Sequence, residues 1–226
     1  MTQRVLTVPA DLVDCLYTRR GFYGDAERIG VVMEVIRKAG TFVERHAAER
    51  DYSLKQIIAC GIVRTEDRVL CLRRSRKSDR AALRLKFTMM IGGHVDQEDA
   101  GGAAVLSHCV KRELAEELGL TIPVDPPLLG VVADPLTASG TLHLGIVFDA
   151  ELVAESIEVT SRHDTSEFVD AGKRQHLAFM DETAVARVRA KLDPWSSLFL
   201  GSSRCEEILG YRFANADERQ PLLPYR

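Results

Sequence analysis

The stretch Arg112-Glu113-Leu114-Ala115-Glu116-Glu117-Leu118-Gly119-Leu120 carries three glutamates on one flank of what reads as a helix. At about 100° per residue, Glu113, Glu116 and Glu117 fall within an arc of roughly 100°. Leu106, Val110, Leu114 and Leu118 recur every fourth residue and form the apolar stripe of the same helix. Glu117 lands inside that stripe. A carboxylate taken there in ionised form must be paired or it protonates. Three like charges so close together point to a divalent cation, and hard cations such as Mg²⁺ choose carboxylate oxygens. The plain alternative is a solvated helix face on which Arg112 and Glu116 make an ordinary i, i+4 pair.

The flanking residues weigh against that alternative. Gly119 is a natural C′ stop for the helix. Upstream, Phe87 to Ile91 reads as a strand, and Gly92-Gly93-His94 as the tight turn that follows it. Strand, glycine turn, loop, acidic helix and glycine stop form a far more specific pattern than the acids alone.

On these residues, Gly92 to Leu120 resembles the Nudix box. That pattern runs Gly, five residues, Glu, seven residues, then Arg-Glu-hydrophobic-x-Glu-Glu-x-Gly-hydrophobic. Its second half is met at every position from Arg112 to Leu120. The first half departs: the loop after Gly93 is longer, and Ala104 stands eight residues before Arg112, where the pattern has Glu. Asp96, Glu98 and Asp99 lie in that loop as candidate replacements. From about Gln56 onward the chain also resembles a Nudix branch described as phosphoesterases predicted from sequence. That branch has a Gly-Gly-His turn, a stretched box and a later segment like Leu142 to Phe148.

The resemblance implies an α/β/α sandwich around a mixed β-sheet, with residues 1–54 as an N-terminal extension containing a helix and 55–226 as the Nudix domain. It implies that Glu113, Glu116, Glu117 and the Gly93 carbonyl hold Mg²⁺ or Mn²⁺, and that Arg112 orients Glu113. The implied reaction is attack of water on a phosphorus of a nucleotide-derived small-molecule diphosphate. A base would come from a box glutamate or a later acid, with Glu167 and Asp170 the candidates; the catalytic set is then Arg112, Glu113, Glu117 and Glu167. Two other readings of the scaffold remain open. One is a non-catalytic ligand sensor, suggested by the missing early glutamate. The other is an isomerase of the isopentenyl diphosphate type, which would need Cys60 or Cys71 but lacks the expected Cys-His-Pro context.

Between Arg73 and Lys86 the chain is strongly basic, with Asp79 its only acid. Such a run either clamps phosphates or is a solvated loop. Arg73 and Arg74, at a strand end, are the better substrate candidates. No aromatic is interleaved with these charges, so nucleic-acid binding is not expected. His94, beside the glycine turn, is a third substrate candidate, with loop capping as its alternative. His143 alternates with Leu142 and Leu144 and reads as a core or sheet histidine.

With 226 residues and 46% apolar content, the chain can bury a full core. A net charge of −3 gives no global attraction to nucleic acid or anionic lipid. No apolar run approaches the roughly 20 residues of a membrane span, and Pro9, Asp11 and Asp14 interrupt any signal-like stretch. Five scattered cysteines without a Cys-x-x-Cys pair suggest a reducing cytoplasm and no zinc. A role for residues 1–54 as a cap or as a homodimer contact is left open.

Periodicity predicts a strand at Val5–Val8, a helix from Ala26 to about Ala48, and a hairpin of Gln56–Val63 with Arg68–Arg73. Leu128–Asp134, Thr141–Asp149 and Leu152–Val159 follow as strands, then a polar loop over Ser161–Gln175 and a short strand at His176–Met180. Asp181 is the expected N-cap of a helix running to about Leu192, stopped by Pro194.

Overall fold

The computed structural model describes residues 2–75, 83–101, 104–152 and 178–213. Its centre is the long strand β4 (Leu54–Arg64), buried along almost its whole length. Beside it runs β9 (His143–Glu151), parallel and in register from Gln56↔His143 to Arg64↔Glu151. A strand flanked on both sides and covered on both faces should be apolar throughout, and Ile57 to Val63 meets this requirement.

The remaining strands attach to this pair. β5 (Val69–Arg73) turns back from β4 at Arg64↔Val69 and carries β10 (Ala178–Met180) on its outer edge. β8 (Leu128–Ala133) pairs antiparallel with β9, and β2 (Gly21–Tyr23) with β8. The other edge of β4 is shared. β7 (Met90–His94) takes Ile58 to Ile62, and β1 (Arg4–Pro9) takes Leu54 to Gln56. The amino-terminal residues therefore belong to the same sheet as the rest.

Side chains alternate across β4 and divide the core in two. Ile57, Ala59 and Val63 face one layer, with Val110 and Leu114 of α4 (Val105–Leu118) and Val32 and Ile36 of α2 (Ala26–Ala39). Ile58, Cys60 and Ile62 face the other, against α6 (Glu182–Val188), α7 (Pro194–Leu200) and α8 (Ser203–Leu209). The architecture is an α/β/α sandwich over a mixed sheet, as expected.

The structure departs from the sequence reading in four places, the first being Gly92-Gly93-His94: expected as a tight turn, they are the last residues of β7, paired with Cys60, Ala59 and Ile58 of β4. The helix predicted over residues 26–48 stops at Ala39. Gly40 is extended (ψ 128°), and Thr41–Glu44 form β3, which pairs with β1. The β-branched and aromatic Thr41, Phe42 and Val43 prefer that pleated surface. The single strand predicted over Phe87–Ile91 is split at Met89 into β6 (Phe87–Thr88), on β5, and β7, on β4. The Ser196 hydroxyl accepts the Met89 amide at 2.9 Å, replacing a ladder bond. Finally, the helix capped by Asp181 ends at Val188, and α7 and α8 continue beyond Pro194. Most of the strand predicted at Leu152–Val159, the polar loop and residues 176–177 lie outside the described residues. Among the described residues, no helix is long and apolar enough to cross a membrane.

Leu6 is 4% exposed and packs into the core that α4 helps to close. Leu6→Ala is expected to lower global stability by about 2–5 kcal/mol. Urea denaturation should show this as a shift of one cooperative transition, not loss of a separate amino-terminal phase.

Candidate active site

The acidic helix α4 lies on the β4–β7 pair with its apolar stripe buried: Leu106, Val110, Leu114 and Leu118 are all at most 4% exposed. Gly119 ends it in the left-handed conformation (φ 67°), as a C′ glycine does. Burial of the stripe fixes the helix rotation, which sets Glu113 over the backbone of β7. A Cβ added to Gly93 would lie 2.4 Å from Glu113 Oε1 and 2.6 Å from its Cδ. The glutamate fits only because position 93 has no side chain.

Arg112 holds this carboxylate. Its Nη1 donates to Glu113 Oε1 at 2.7 Å and to Glu116 Oε2 at 3.1 Å. The other edge of the guanidinium engages Asp99 in a bidentate pair, with both bonds 2.9 Å long. Nη2 also reaches the His94 carbonyl at 3.2 Å and Cys109 Sγ at 3.5 Å. Such fork-to-carboxylate bonds are the strongest and most directional that a side chain makes. Of the three loop acids, Asp99 is the one that meets the box arginine. A sequence signal for it exists: Asp96 and Asp99 have the spacing of a capping box, and they form one around the 3-10 turn Gln97–Asp99.

Charge and burial compete at these groups. Burial raises the pKa of Glu113, and neighbouring Glu116 and Asp96 add to this; Arg112 opposes them but does not prevail. Burial also pushes Asp99 upward, yet the Arg112 bonds and the Asp96 amide outweigh it and hold the carboxyl below its usual range. The buried Cys60 thiol is pushed up by desolvation, then by Glu113, Asp193 and Glu117, while Arg74 pulls it down. Charges from α4, from the start of α7 and from the end of β5 therefore bear on one point of the β4–β7 pair.

The other sequence candidates are placed as follows. Glu116 is exposed and Glu117 half-buried on α4. Arg74 is half-buried beyond the end of β5, and its charge lowers the pKa of the Cys60 thiol slightly against the larger effects that raise it. Arg73 is exposed, its guanidinium 5.9 Å from the centre of the Phe87 ring. His94 is 7% exposed, and its ring meets that of His143 edge to face at 5.4 Å. His143 Nδ1 lies 2.6 Å from the Ser139 carbonyl. Glu167 and Asp170 lie outside the described residues, as does the middle of the basic run.

The donor chemistry fits a hard divalent cation: carboxylates on one helix flank beside a glycine backbone that approaches without a side chain. Among the described residues no three acidic, histidine or cysteine side chains enclose a cation by themselves. Glu116 is turned toward Arg112. A cation here would keep part of its shell as water or substrate oxygen, which is the usual habit of Mg²⁺.

The Nudix domain model matches residues 54–199. The chain belongs to the Nudix family. It is 30% identical over 159 residues to the protein YmaB of Bacillus subtilis (strain 168), covering 67% of this chain and 77% of that one. Its fold is that of Tm1382, described as a candidate Nudix hydrolase, with a TM-score of 0.62 and 21% identity over 86% of this chain and 94% of that one. Nudix hydrolases act on pyrophosphate linkages and generally use divalent cations.

Two outcomes test this geometry. In Gly93→Ala the added methyl meets the far end of a flexible side chain, so stability should change by less than about 1 kcal/mol, while a crystal structure should show Glu113 displaced from β7. Because the folded-state pKa of Glu113 lies above its ordinary 4.5, the folded protein binds the extra proton, and stability falls as pH rises through that window. Glu113→Gln should flatten this slope in urea denaturation series taken upward from pH 4.5.

Proposed function

We propose that this Nudix protein is a Mg²⁺- or Mn²⁺-dependent hydrolase that cleaves the phosphoanhydride bond of a nucleoside-diphosphate-linked small molecule. The observation that carries the proposal is the Glu113 carboxylate held by Arg112 against the bare backbone of Gly93, where an added Cβ would lie 2.4 Å from Glu113 Oε1. An ordinary solvated helix face has no need of such a fit. Glu113, Glu116, Glu117 and the Gly93 carbonyl are the residues that would hold the cation. When bound, it would lower the pKa of water and offset charge on the transferring phosphoryl group.

The chain's own residues supply the rest. Arg112 fixes the direction of the Glu113 oxygens, and its charge is already shared between Asp99 and Glu113, so it is not offered to substrate. Arg74, half-buried beyond the end of β5, is a better phosphate contact than the exposed Arg73 beside Phe87. His94 is enclosed against His143, so its part is to anchor the end of β7 that carries the Gly93 carbonyl. Glu117, on the same flank one turn beyond Glu113, is the box candidate for activating water; Glu167 or Asp170 is the later-loop alternative. The isomerase reading loses support, because burial pushes the Cys71 thiol up to about 12 and raises Cys60 as well. Thiols so poor in thiolate are inert structural groups.

Phosphate and pyrophosphate release should be measured over nucleotide-sugar, dinucleoside, coenzyme and oxidised-nucleotide diphosphates. Release is expected with Mg²⁺ and lost in EDTA. Glu117→Gln should reduce turnover at least a hundredfold, on the order of the loss of a general base, with the circular dichroism spectrum kept. A folded Glu117→Gln protein of wild-type activity would refute the assignment. Ligand binding without any release would favour the sensor.

A further inference from the structure

Asp99 is held from behind as firmly as it holds Arg112. Its Oδ2 accepts the Asp96 amide at 2.8 Å, and its own amide donates to the Asp96 carbonyl at 3.0 Å. Asp96 in turn is gripped by the amino-terminal segment. Gln3 Nε2 donates to both Asp96 carboxylate oxygens, at 3.1 and 3.0 Å. The Gln3 side-chain carbonyl accepts from Arg45 Nη1 at 2.8 Å. The main chain makes the same connection: Val5 bridges Asp96, and the Leu6 amide donates to the Val95 carbonyl at 2.8 Å. Val5 is fully buried at this crossing.

We infer that the amino-terminal segment is a working part of the active site: through Gln3, Asp96 and Asp99 it splints the stretched loop that positions Arg112 over Glu113. The inference rests on the proposed function, and it gives residues 1–54 a positioning role in place of a cap or a dimer contact. Its physical basis is the length of the loop. A loop longer than the box pattern has more conformations to lose, and its acid meets the arginine reproducibly only if something outside the loop fixes it. β1 runs along the end of β7 and does so. Groups one shell away from a cation site are known to matter at this level, with their loss costing about 10–100-fold in metal affinity or activity.

The test uses the full chain with Asp99→Asn and Gln3→Glu, and two readouts. The first is hydrogen exchange of the Arg112 Nε–H in metal-free protein by NMR. The second is Mn²⁺ affinity by calorimetry. Asp99→Asn should expose the Nε–H to exchange and weaken Mn²⁺ binding about 10–100-fold. Gln3→Glu sets a carboxylate against Asp96, and the splint predicts faster exchange and binding weakened about two- to tenfold. The sign is the discriminator, because an effect of added negative charge alone would tighten Mn²⁺. Wild-type exchange and affinity in Asp99→Asn would overturn the positioning role. Tighter or unchanged binding in Gln3→Glu would overturn the amino-terminal link, as would a drop in melting temperature with both readouts kept. Failure of the wild-type chain to bind Mn²⁺ would sink the proposed function, and the exchange measurement would still decide the splint. Should Asp99→Asn not fold, Asp96→Asn takes its place, with the same exchange result expected and the same result fatal.

Discussion

One guanidinium organises the acidic end of this molecule. Arg112 must satisfy five N–H donors, and it does so with Asp99 on one edge, Glu113 and Glu116 on another, and the His94 carbonyl between. Remove it, and four carboxylates, counting Asp96, are left repelling one another at the end of a sheet. Keep it, and Asp99, Glu113 and Glu116 each have a defined direction. Burial of Glu113 raises the cost of its charge, yet that same burial fixes its place against the glycine backbone. A carboxylate that is expensive to ionise in the free protein is one that a divalent cation can stabilise strongly, so the strain and the proposed use have one source.

The fold supplies this arrangement by dividing tasks along β4. Its face toward α4 is apolar and packs the stripe of the acidic helix, which sets the rotation of that helix. Its edge is shared between β7 and β1, so the glycines of β7 and the amino terminus arrive at the same place. Its other face is closed by α6 to α8, whose Asp193 caps Ser196 and so ties the start of α7 to the break at Met89. That break frees β7 from β5 and lets it continue along β4 to Gly93.

Much of this was legible in the residues. The acidic helix and its glycine stop follow from periodicity and cap chemistry, because those signals are local. The strand at Val5–Val8 and the hairpin of β4 with β5 were legible for the same reason. What the sequence concealed depends on tertiary partners. Thr41–Glu44 turns from helix to strand because β1 offers an edge to pair with. The strand over Phe87–Ile91 breaks because Ser196, more than a hundred positions later, competes for one amide. The choice of Asp99 over Asp96 and Glu98 was not readable from spacing to the box. It depends on a 3-10 turn aiming one acid of three at Arg112, and only the capping-box interval hinted at it.

The departure from the box pattern has a physical reading as well. In a short loop the acid that steadies the box arginine can come from a fixed interval, since few conformations compete. Lengthening the loop breaks the interval: Ala104 stands where the box pattern has Glu, and here Asp99 reaches Arg112 instead. What a longer loop cannot supply is its own rigidity. Here the rigidity comes from outside: a capping box shortens the free segment, and a strand from the far end of the chain pairs with its first residues. The longer loop and the amino-terminal strand then act together, since the first without the second would leave Arg112 with a less fixed partner.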